Sequence, residues 1–138
     1  MRLKLFAKLY LIVLPAFFAI DLVWLGLLAK DLYDAQIGAL LKADVNWTAA
    51  IAFYLVFIAG IVHFVLMPAV EKKSLKQAAL NGAAFGFVTY ATFDLTSLAL
   101  IRDWPLLITV VDLAWGTVLT CSVSSIAFAV NRMGAKAR

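Results

Sequence analysis

The chain has 138 residues, 65% of them hydrophobic, with a mean hydropathy of +0.99 and a net charge of +4. Only 14% are charged, against about 25% in an average soluble domain, which excludes a water-soluble globule and makes lipid the main solvent. Cys121 is the only cysteine, which excludes an internal disulfide and a cysteine-based metal cage.

A helix needs about 20 apolar residues to cross the hydrocarbon core. Four stretches reach that length, at about 5–29, 46–70, 75–101 and 105–131. Backbone polar groups at that depth must be paired within the segment, so helices are expected. Nothing alternates with period two, which argues against a barrel. The expected fold is all-α: a polytopic membrane protein whose four transmembrane helices form an antiparallel bundle, with residues 1–138 as a single membrane domain.

Arg2, Lys4 and Lys8 precede the first apolar run, as in a signal peptide. The run lacks a small-x-small cleavage site and continues to Leu28, so an uncleaved first span is expected. Pro15 in its middle should kink it. In the next connection Lys30, Asp31, Asp34, Lys42 and Asp44 are interleaved with Leu32, Ile37, Leu40 and Leu41. That pattern suits an interfacial helix over about 31–43; a polar loop is the alternative.

Asn46 can cap the second span, with Trp47 at interfacial depth and Pro68 closing the helix. Ser74 followed by Gln77 is a capping box that starts the third span. Gly82 and Gly86 have the small-xxx-small spacing that lets helices approach closely. Arg102 and Asp103 separate the last two spans, Trp104 stands at the interface and Pro105 fits the first turn of the fourth. Nine bases (Arg2, Lys4, Lys8, Lys72, Lys73, Lys76, Arg132, Lys136, Arg138) then fall on one side and three (Lys30, Lys42, Arg102) on the other. The positive-inside bias predicts both termini in the cytoplasm, with Trp47 and Trp104 in an outer aromatic belt.

Three acids lie inside the spans: Asp21, Asp94 and Asp112. At about 1.5 Å per helical residue, each sits roughly 12–14 Å below the outer surface, and Tyr54 reaches the same level. On the fourth helix Thr109, Asp112, Gly116, Thr120 and Ser124 share a stripe. On the third, Gly86, Tyr90, Asp94 and Ser97 lie close in angle, and on the first Asp21 and Trp24 share a face. A polar seam between the helices, widest in the outer half, follows. An ionised carboxylate at this depth costs on the order of 3 kcal/mol, and no buried base is available. The acids must be protonated, joined by a cation, or reached by water. Alternatively they are interhelical glue, bonded to Tyr, Thr or backbone carbonyls, or paired across a dimer interface. Trp24 and Trp115 serve packing or wall a pocket. His63, the single histidine, is expected as a hydrogen-bonded helix contact rather than a proton relay.

The strings around these acids carry a resemblance. Asp21-Leu-Val-Trp24-Leu-Gly26, Ala29-Lys30-Asp31-Leu-Tyr33, Tyr90-Ala-Thr-Phe-Asp94-Leu-Thr96 and Asp112-Leu-Ala-Trp115-Gly116-Thr117 together resemble domain-of-unknown-function family 2177, a group of small predicted bacterial membrane proteins. The resemblance spans nearly the whole chain. It implies a bacterial inner-membrane protein of four spans and carries over no activity and no catalytic residue.

Three function classes stay open. In the first and preferred one the protein binds or translocates a proton, cation or small solute. Asp21, Asp94 and Asp112 hold it, Tyr54 and Tyr90 assist, and Trp24, Trp115, Thr109 and Ser97 complete the site. In the second it is a membrane-embedded enzyme acting on a lipid-like substrate, for which no paired histidines, Ser–His–acid set or nucleotide loop is present in the sequence. In the third it is an accessory subunit of a membrane complex. No cofactor is evident, although three acids are compatible with a bound cation; catalytic residues and metal ligands are unassigned. The expected partner is the lipid bilayer, with a homo-oligomer or membrane-protein partner open. The basic ends suit anionic headgroups, not nucleic acid.

Overall fold

The computed structural model describes residues 1–138. Its elements are α1 (Arg2–Val23), a π-helical turn (Trp24–Leu28), α2 (Lys30–Ile37) with a 3₁₀ turn (Gly38–Leu40), α3 (Trp47–Gly60), a second π-helical segment (Ile61–Leu66), α4 (Met67–Glu71), α5 (Leu75–Leu100) and α6 (Leu106–Lys136). They combine into four helices long and apolar enough to cross a membrane: Arg2–Leu28, Trp47–Glu71, Leu75–Leu100 and Leu106–Lys136. Large apolar side chains such as Val56, Phe64, Val88 and Leu107 point outward. In water that surface would aggregate; in lipid it is solvated. The chain is an all-α polytopic membrane protein.

The helix ends follow local chemistry. The Asn46 side chain accepts from the Ala49 N–H at 3.1 Å, and the Ser74 hydroxyl accepts from the Gln77 N–H at 3.1 Å. Each satisfies a donor that the first helical turn leaves free. Between α4 and α5 the Ser74 N–H returns to the Ala69 carbonyl and the Lys73 N–H to the Val70 carbonyl. Lys73 takes a φ of 54° to close this left-handed turn. Asp103 does the same at a φ of 61° between α5 and α6.

Two expectations for the second span are overturned. Pro68 does not end the helix, which runs on to Glu71. In a regular α-helix its ring would collide with the Phe64 carbonyl; the wider π turn just before it relieves that crowding. His63 is exposed, without a hydrogen bond to another helix, and packs edge-on against Phe64 with ring centroids 4.8 Å apart. Its neighbours Ile61, Val62, Val65 and Leu66 fill the buried face, which turns His63 and Phe64 outward. Pro15, by contrast, lies within a continuous α1.

The core lies between α1, the second span and α6. Leu9, Val13 and Phe17 recur every fourth residue on α1 and meet Ile58, Ile61, Val62 and Leu66 as well as Leu119, Val123 and Ala127. The next position on the α1 stripe is Asp21, also buried. The i, i+4 spacing that builds the core thus also delivers the acid to the bundle interior.

α5 and α6 form the most extensive helix pair. A Cβ at Gly82 would stand 2.7 Å from the Ser124 Oγ and 2.8 Å from the Thr120 carbonyl oxygen. A Cβ at Gly86 would overlap the Gly116 backbone, and one at Gly116 the Tyr90 ring. The antiparallel register therefore runs Gly82 by Ser124, Gly86 by Gly116 and Tyr90 by Gly116, and one turn further it brings Asp94 beside Asp112.

Candidate functional site

The end of the bundle that carries α2 is not filled. A cavity of about 880 Å³ lies there, lined by 17 residues, 13 of them hydrophobic. α1 supplies Asp21, α3 supplies Phe53, Tyr54 and Phe57, α5 supplies Thr89, Tyr90, Phe93 and Asp94, and α6 supplies Asp112 and Trp115. The opening follows from helix placement. α5 packs closely on α6 and on the π segment Ile61–Leu66, whereas α3 proper makes little contact with α5. Phe53 on α3 and Phe93 on α5 both line the cavity and are 51% and 58% exposed. The cavity is thus open between the second and third spans.

The acids on its wall are held differently. Asp21 accepts from the Tyr54 hydroxyl at 3.1 Å and from the Trp115 Nε1 at 3.4 Å. Asp112 accepts a short hydrogen bond from the Tyr33 hydroxyl, which in turn accepts from the Trp24 Nε1 at 3.3 Å. Asp94 is fully buried, and neither of its oxygens has a hydrogen-bond partner. No group of three or more His, Cys, Asp or Glu comes together closely enough to hold a metal ion. The cavity therefore has two acids held by neutral donors and a third, Asp94, whose polar neighbour is the Asp112 carboxyl, on a wall that is mostly apolar and aromatic.

Of the residues expected from the sequence, Asp21, Tyr54, Tyr90, Asp94, Asp112 and Trp115 meet on this wall. Trp24, Thr109 and Ser97 do not line it. Trp24 stacks on Trp115 with ring centroids 4.4 Å apart and planes 10° from parallel, so it backs the wall and orients Tyr33. Thr109 is buried and accepts from the Trp104 Nε1 at 3.1 Å, which turns that indole inward. Trp104 thereby lines the cavity and packs edge-on against Phe93, rather than serving only in an outer belt. Ser97 is buried almost one turn beyond Asp94 and outside the cavity. On the α6 stripe the Thr120 and Ser124 hydroxyls face the glycines of α5, away from the site.

Tyr33 was not among the expected site residues. The signal was present: Tyr33 and Ile37 are four residues apart on α2, close enough in angle to turn to the same side. In the fold Ile37 is buried, and Tyr33, Ile37, Leu40 and Leu41 roof the cavity. Burial first, and then the bond to Asp112, raises the Tyr33 hydroxyl above the ordinary phenol range. It stays a donor at every physiological pH.

A family model described as predicted membrane protein (DUF2177) matches residues 6–129. The chain belongs to that family. The matched segment of this DUF2177 protein contains all three cavity acids, the roofing helix α2 and the α5–α6 glycine contact. No curated protein and no solved structure matches the chain.

Proposed function

We propose that this DUF2177 protein binds a small solute in the cavity between its spans, and that binding or translocation of that solute is its task in a bacterial inner membrane. On the positive-inside bias the termini are cytoplasmic and the cavity lies in the outer half, within one membrane domain formed by the whole chain. The observation that carries this reading is a single opening of about 880 Å³ with Asp21, Asp94 and Asp112 all on its wall. Interhelical glue alone would draw polar groups together and close the space between them, because an open cavity forfeits packing. A volume of this size suits an organic solute.

Tyr33, Tyr54, Trp24 and Trp115 hold two of the acids in fixed orientations. Stacked indoles and bonded phenols lose little conformational freedom on binding, so the wall is preorganised. The enzyme alternative draws support from the lateral opening, which admits a lipid-like substrate from the bilayer. It lacks a nucleophile–base pair on the wall, and the binding reading is preferred for that reason.

The test is heat unfolding of the full chain in detergent, with small apolar solutes bearing cationic, neutral or anionic heads. Binding stabilises by mass action, so at least one head class is expected to raise the midpoint. Leu25→Trp, which fills the cavity, is expected to remove that rise. Equal midpoints for all three classes and for Leu25→Trp would overturn the proposal.

A further inference from the structure

Asp94 is the one cavity acid that accepts from no phenol or indole of the fold; its polar neighbour is the Asp112 carboxyl. It is fully buried, it lines the cavity, and neither oxygen has a partner. Asp21 and Asp112 both have phenol or indole donors. Two adjacent carboxyls inside a membrane bundle cannot both carry charge without a cation beside them, so Asp94 and its neighbour Asp112 mark where the positive group of a ligand belongs.

The rest of the wall specifies that group. It holds three carboxyls and no lysine, arginine or histidine, so it repels anions and attracts cations. It offers no cluster of metal ligands, and its volume of about 880 Å³ far exceeds what an ion needs. Eight of the 17 lining residues are aromatic, and ring faces attract an organic ammonium. The opening at Phe53 and Phe93 lets an apolar body enter from the lipid side.

We propose that the ligand is an organic monoamine whose apolar or aromatic body fills the space between Leu25, Phe53, Phe57 and Phe93 and whose ammonium group donates to Asp94. This rests on the binding role proposed above and names the ligand class of the same cavity. The ammonium gives Asp94 a charge-assisted hydrogen bond, and the neighbouring Asp112 adds to the attraction. A neutral alcohol of the same shape gains only the apolar contacts and an ordinary hydrogen bond.

The experiment uses the full chain in lipid nanodiscs and three matched probes: phenylbutylamine, phenylbutanol and phenylbutanoate. Binding is read from the fluorescence of the wall tryptophans, with empty nanodiscs subtracted. The amine is expected to bind wild type about tenfold or more tightly than the alcohol, the difference between a charge-assisted and an ordinary hydrogen bond. Asp94→Asn should bring the amine to within about twofold of the alcohol, and Asp94→Glu should keep the amine preference. Alcohol binding retained by Asp94→Asn shows that the variant is folded. An amine preference that survives Asp94→Asn, or equal binding of all three probes, overturns the amine assignment and leaves the cavity reading standing. No binding of any probe to wild type overturns both.

Discussion

The Tyr33 hydroxyl reaches across 79 positions of sequence to donate to Asp112. That bond ties the short helix α2 to the longest span, and it is the polar link between the roof of the cavity and its wall. Tyr33→Phe removes the donor and leaves the ring. The expected cost is about 1–2 kcal/mol, because Asp112 loses its partner. Hydrogen exchange should localise the change, with faster exchange over residues 30–40 and little change in α5.

The same bond predicts a response to alkali. The folded-state value of Tyr33 is raised above that of an unfolded phenol, which is about 10. Its contribution to stability is therefore fully present below about pH 10 and is lost as pH rises through the higher folded value. Ultraviolet titration should show Tyr33→Phe losing one phenol from the part of the curve above pH 10. A Tyr33→Phe curve that loses its phenol at about pH 10, where an unfolded phenol ionises, would contradict the buried bond.

The α5–α6 contact predicts a graded glycine series. Gly86→Ala forces a Cβ into the Gly116 backbone, and Gly116→Ala forces one into the Tyr90 ring. Each is expected to destabilise by about 1–3 kcal/mol. Gly26→Ala meets nothing within 4 Å and should be tolerated. Heat unfolding of the three variants in one detergent checks the order.

The orientation predicted by nine bases against three is accessible to labelling. In a Cys121→Ser background, Ala43→Cys should react with an impermeant thiol reagent on intact cells. Ala137→Cys should react only after the membrane is opened. The reverse pattern would invert the topology and put the cavity in the inner half.

Much of this architecture is written in local pattern. Length and hydropathy mark the spans, and Asn46 and Ser74 cap helices as their residue types suggest. The constant rise of a helix is enough to bring Asp21, Tyr54, Asp94 and Asp112 to one level. What local pattern does not carry is the tertiary direction of side chains. The stretch after Lys30 has the alternating charges and leucines of an interfacial helix, and only the packed fold shows that Tyr33 and Ile37 turn inward. Pro68 has the look of a helix stop until the π turn ahead of it is known. Thr109 and Ser97 share faces with the acids, but a shared face covers more than the cavity mouth: Thr109 is taken up by Trp104, and Ser97 lies almost one turn too far along.

The acids themselves should divide by role. Asp21 is bonded to Tyr54 and Trp115, so Asp21→Ala leaves two part-buried donors unpaired and should cost about 1–3 kcal/mol. Tyr54→Phe should cost less, because Asp21 keeps its indole. If Asp21→Ala unfolds at the wild-type temperature, these bonds hold nothing together.

The most direct test of the central claim is the heat-unfolding midpoint of Asp94→Asn without ligand. A ligand-binding carboxyl whose polar neighbour is a second carboxyl adds nothing to the empty fold, so the midpoint should equal or exceed that of wild type. A midpoint lower by several degrees, on the order of 1 kcal/mol or more, would mean that Asp94 holds the helices together, and the assignment of Asp94 as the ligand's partner would fall.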